Sequence, residues 1–165
     1  MSDGGAVAVS RIDYRLLRQS KQLLLHRTHQ RTHTAGGEIS SAHEFLEQGI
    51  PTGLGTDVAG GAGESVFRAM ADAIQVSKLR WRLVDETCKP LTAEEAFYLG
   101  TKGGGGFFGK TGSFEEGYEL DALVLNDESL KHPQPLSLKE RLERVIYLSD
   151  ERHIDAKYVA GRKIF

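Results

Sequence analysis

The apolar positions sort into helical and strand-like runs from about residue 40 onward. Val66, Phe67, Met70, Ile74 and Trp81 recur near one face of a helical repeat, which predicts a long helix from Glu64 to about Arg82. Ahead of it, Ser41 and Glu44 have capping-box spacing and Gly49 follows Gln48, so a short helix over 41–48 is expected. Between the two, Ile50 to Thr56 reads as a short strand and Val58 to Gly63 as a glycine-rich loop. Thr92-x-x-Glu95 and Ser137-x-x-Glu140 open two more capped helices, running to about Leu99 and Tyr147. Leu120 to Leu125 is strand-like, and Lys157 to Phe165 reads as a hairpin turning at Ala160-Gly161. Helix, strand, loop and long helix in that order make an α/β unit, with no internal repeat.

Residues 1 to about 35 have a different character. They carry six Lys or Arg against two acids, and Ile12, Leu16, Leu17, Leu23 and Leu24 give a loose helical stripe. A short amphipathic helix or an Arg-rich transit segment fits that pattern.

Two stretches imitate known motifs. Read from Gly104, GGGFFGKT fits the phosphate-loop pattern G-x-x-x-x-G-K-[ST]. A working phosphate loop needs a strand before the glycines and a helix after them. Here a helix precedes them and a turn then a strand follow, so the glycines are read as a helix-to-strand connection. HRTHQRTHT resembles the histidine half of a zinc finger, but tetrahedral zinc wants four ligands and the chain's single cysteine, Cys88, lies downstream. His26, His29 and His33 stand three and four apart, a spacing that shares one face if the segment is helical.

Composition narrows the function classes. A chain of 165 residues is long enough for one domain with a core, and its net charge of -2 offers no field for nucleic acid or an anionic membrane. No apolar run approaches the roughly 20 residues of a membrane helix. A lone thiol excludes an internal disulfide and fits a cytoplasmic location.

The stretch that carries chemistry is GIPTGLGTDVAGG, residues 49–61. An apolar strand ends in one carboxylate, Asp57, with glycines on both sides that permit close approach of backbone and ligand. In (β/α)8 barrels, functional side chains sit at the C-terminal ends of strands. From its position alone Asp57 is an N-cap, a turn residue or a catalytic group.

From about Gly36 to Phe165 the chain resembles the C-terminal third of guanine deaminases in the amidohydrolase superfamily. The segments that carry the resemblance are GLGTDVAGG (53–61), AIQVSKLRW (73–81), PLTAEEAFYLGTKGGGGFFGKTGSFEEGYELDALVLND (90–127), ERLERVIYLSDERHI (140–154) and YVAGRKI (158–164). The resemblance implies an α/β fold: the C-terminal fragment of a metal-dependent (β/α)8 barrel hydrolase plus part of its small β domain. Residues 1–35 would be a divergent basic segment that matches nothing in the family. Residues 36–112 would hold the last α/β units of the barrel. Residues 113–165 would hold the small β domain's C-terminal part, with a closing helix and hairpin. It implies conversion of guanine and water to xanthine and ammonia, in guanine catabolism. Asp57 would be both catalytic residue and zinc ligand, exchanging a proton with zinc-bound water. The signature of the other deaminase class, H-x-E with P-C-x-x-C, is absent.

The family's H-x-H pair, its further histidine ligands, its acid-base glutamate and its guanine-contacting residues are not placed on this chain. With one aspartate of the site, the chain alone is expected to be inactive. Ile50, Leu54, Phe67 and Met70 would lie uncovered. The alternative is a non-catalytic truncated isoform or pseudo-enzyme that associates with the full-length enzyme, the family's homodimer habit making such pairing feasible.

Overall fold

The computed structural model describes residues 24–27, 42–56, 63–130 and 132–165. Strand β1 (Leu24–Arg27) is followed by helix α1 (Ala42–Glu47), strand β2 (Thr52–Gly55) and the long helix α2 (Val66–Leu83). Helix α3 (Ala93–Tyr98) runs straight into a π-helical turn over Leu99–Gly103. Strand β3 (Ala122–Leu125), a 3-10 turn over Glu128–Leu130 and helix α4 (Leu138–Leu148) follow. A second 3-10 turn (Glu151–His153) leads into strands β4 (Ile154–Val159) and β5 (Arg162–Lys163). The protein is thus mixed α/β; the described residues form one parallel pair, β1–β2, and one antiparallel sheet ordered β3-β4-β5.

Local chemistry sets most of the boundaries. Ser65 caps α2 by accepting from Arg68 N–H. Thr92 and Glu95 complete a reciprocal capping box on α3, and Ser137 and Glu140 do the same on α4. Gly49 ends the α1 region with φ of 63°, in the left-handed region that suits glycine. Ala160 and Gly161 both take positive φ, as a two-residue hairpin turn requires. Ala160 is held there by donating its N–H to Asp121 Oδ1 at 2.8 Å.

The core lies under α2. Met70, Ala73 and Ile74 pack with Leu54 of β2, Leu91, Ala96 and Leu99 around α3, and Ile146 of α4. Apolar burial of this kind is the main favourable term in folding. Ile50, Leu54 and Met70 are buried and Phe67 is half-buried, so the surface expected to lie uncovered is in fact the core. Trp81, counted on the apolar face from its spacing, is exposed together with Leu79, Leu83 and Val84 at the end of α2. Asp72 on α2 is buried and paired with Arg68 Nε at 3.1 Å.

The N-terminal expectation changes most. Leu24–Arg27 is a strand, not part of a helical stripe, and it pairs parallel with β2. Leu24 faces Thr52 and Arg27 faces Gly55 in that register. His26 therefore sits on a strand, which removes the shared helix face proposed for His26, His29 and His33. His29 and His33 lie outside the described residues.

Candidate functional site

Parallel pairing aligns the C-terminal ends of β1 and β2, since Arg27 and Gly55 are register partners. The chain leaving β2 reaches Asp57 two residues later. Asp57 itself lies outside the described residues, so the structure places the strand end that delivers it and not its carboxylate.

The strand beneath that end is buried on both faces. Thr52, Gly53 and Leu54 are consecutively buried, as in parallel sheets covered on both sides. Leu54 faces the α2 core. On the other side the glycine run presses against the strand. A Cβ on Gly53 would stand 2.5 Å from Gly104 Cα, and one on Gly103 would stand 2.6 Å from the Thr52 carbonyl oxygen. These glycines allow two backbones to meet without side chains between them. The π-helical turn presents them there: Gly104 N–H reaches back to the Leu99 carbonyl. After Thr111 come turns and then β3, with no helix, so the phosphate-loop geometry is absent.

Other ionisable groups take structural roles. His43, which spacing leaves unassigned, is buried between α1 and α3, with Nε2 3.2 Å from Glu47 Oε1 and Nδ1 3.2 Å from Glu95 Oε1. Neither ring nitrogen is aligned for a hydrogen bond, so these contacts are Coulombic and operate when the ring is protonated. The two carboxylates lie on opposite edges of the ring and do not converge on one point. Burial pushes the Cys88 thiol up to about 11, helped by Glu44 and Asp85 accepting from its Sγ. It stays protonated at neutral pH, which suits an inert cysteine. Among the described residues no group of three or more His, Cys, Asp or Glu is placed to hold a metal ion. Among them, too, no helix is long and apolar enough to cross a membrane.

Sequence comparison extends the picture. The family model described as "Amidohydrolase family" matches residues 12–164, and so reaches into the basic N-terminal segment that had seemed unrelated. Human guanine deaminase is 37% identical over 133 residues, covering 73% of this chain and 29% of that protein. Escherichia coli guanine deaminase is 30% identical over 139 residues, covering 79% of this chain and 30% of that protein. The crystal structure of guanine deaminase from C. acetobutylicum with guanine bound in its active site superposes with a TM-score of 0.85 at 41% identity. That superposition covers 96% of this chain and 37% of the solved one. The chain therefore spans less than two fifths of the length of these relatives.

Proposed function

Because the chain belongs to the amidohydrolase family, we propose that it forms the C-terminal part of a (β/α)8 barrel hydrolase of guanine deaminase type, with part of a small β domain. The β1–β2 pair and helices α2 and α3 are the barrel portion on this reading. The β3-β4-β5 sheet belongs to the small domain. The observation that carries it is the 0.85 superposition on the guanine-bound deaminase over nearly the whole chain. The reaction is hydrolysis of guanine to xanthine and ammonia.

Asp57 is the chain's contribution to the site. It follows a buried parallel strand at the end where barrel enzymes place functional groups. Its carboxylate accepts the proton of the attacking water as oxygen bonds to the amino-bearing carbon, and returns it to the departing ammonia. A catalytic zinc needs about three protein ligands plus water. The described residues by themselves do not fit a zinc ion. As a ligand Asp57 is one of a set whose other members come from outside the described residues.

A second reading has its own observation. Among the described residues, neither outer edge of the β1–β2 pair is hydrogen-bonded to another strand. Parallel sheets are rarely left so open. This favours association with a chain that supplies the flanking strands, whether or not catalysis results.

Both readings meet in one assay of guanine-to-xanthine conversion by ultraviolet absorbance with zinc present. The folded chain alone should show no turnover. Mixed with the N-terminal barrel portion of a guanine deaminase, it should turn over guanine. The Asp57→Ala chain should lose at least about a hundredfold of that rate. Turnover untouched by the substitution would remove Asp57 from the reaction. Failure of the two portions to co-sediment would remove the association reading.

A further inference from the structure

The turn at Glu128–Leu130, the segment 132–136 and one side of α4 enclose a cleft of about 230 Å³, which the deamination reading leaves unused. Asp127, Leu130, His132, Leu136, Arg141 and Arg144 are among its walls. The polar part of this lining consists mainly of donors. Arg144 Nε donates to the Leu130 carbonyl at 2.6 Å, which orients the guanidinium without neutralising it. Among the described residues Arg144 forms no ion pair. Arg141 Nε donates to Asp127 Oδ2 at 2.7 Å, so the one carboxylate among the lining residues is compensated. Gln134 N–H donates to His132 Nδ1 at 3.3 Å, which leaves the proton on Nε2 and makes that nitrogen a donor. Glu140 stands close enough to feel His132; its carboxylate accepts from the Ser137 N–H and hydroxyl, which hold it ionised and tie it to the start of α4.

We propose that this cleft binds a small oxyanion of the phosphate class. Arg141 and Arg144 are three residues apart and therefore neighbours on one face of α4. Guanidinium forks match tetrahedral oxyanions in bidentate fashion. The apolar walls, Leu130 and Leu136, lower the local dielectric and strengthen the attraction. The space holds one such anion and a few waters, each water needing about 30 Å³. Two guanidiniums against one lining carboxylate favour an anion, and a phosphate offers them more oxygens to engage than the two of a simple carboxylate.

Calorimetric titration of the full chain with inorganic phosphate at low ionic strength tests this, with acetate titrated at matched ionic strength. Phosphate should saturate at one per chain, and acetate should bind much more weakly. Arg144→Gln and His132→Ala should each weaken phosphate by about tenfold or more. His132 is exposed, so His132→Ala removes a donor with the fold retained, as circular dichroism and the unfolding midpoint would verify. If Arg144→Gln fails to fold, the His132→Ala titration decides by the same criterion. Phosphate heat that never saturates, binding unchanged in the folded variants, or acetate binding as tightly as phosphate would each overturn the proposal.

Discussion

The hydroxyl of Ser77 donates to the Ile74 carbonyl at 2.7 Å and accepts from the Leu91 N–H at 2.9 Å. It is buried, and so is Leu91. One small side chain thus joins α2 to the segment that enters α3, and satisfies a backbone donor that water cannot reach. Ser77→Ala should destabilise the protein by about 1–3 kcal/mol, because the Leu91 N–H is then left without a partner. Urea unfolding reads this directly, and a midpoint equal to wild type would show that the N–H finds another acceptor. Asp72 makes a related point. It is buried although charged, because α2 is covered over a wider arc than an amphipathic stripe requires, by β2 and α4 together.

At the scale of elements, the contact between β2 and the π-helical turn rests on the absence of side chains. Gly53→Ala should cost about 1–3 kcal/mol, since its Cβ meets backbone that cannot rotate away. Gly55→Ala on the same strand has nothing within 4 Å and should be neutral to slightly stabilising. Equal melting midpoints for the two variants would contradict the close-approach argument. The second 3-10 turn offers a pH test. Hydrogen bonding from Arg152 holds the Asp150 carboxyl well below its usual range. A depressed carboxylate contributes stability above the unfolded value of about 3.8, and loses it as pH falls through the lower native value. The stability difference between wild type and Asp150→Asn should therefore hold steady from pH 7 to about pH 5 and shrink under strongly acidic conditions. A difference that changes between pH 7 and pH 5 would assign the dependence to another group.

At the scale of the whole molecule, apolar surface remains outside the core, though not where the sequence pattern located it. Phe108 is 79% exposed and Phe114 81% exposed, and Phe107 meets Phe108 edge-on with ring centroids 5.0 Å apart. The loop that carries them extends from the glycine run that braces β2. Clustered exposed aromatics promote association. Replacing Phe108 and Phe114 by Ser should leave the unfolding midpoint unchanged and reduce concentration-dependent association in sedimentation velocity. A large loss of stability would show instead that these rings pack internally. Among the described residues the β1–β2 pair likewise has no further strand on either edge.

The amino-acid sequence by itself determined the capping boxes of α3 and α4, the hairpin at Ala160-Gly161 and the rejection of the phosphate loop; Ser41, expected to cap α1, lies outside the described residues. These depend on groups three or four residues apart, whose hydrogen bonds form wherever the segment lies. It also disclosed the family and singled out the strand that leads to Asp57, through motifs that run along the chain. Only the tertiary structure decided that Leu24–Arg27 is a strand, because four residues carry no periodicity and their state depends on pairing with Thr52–Gly55. It likewise decided the role of the glycine run, the burial of Asp72 and His43, and the gathering of His132, Arg141 and Arg144 around one cleft. Each of these results from contacts between segments distant in sequence, where burial and Coulombic terms act on neighbours that no local spacing reveals.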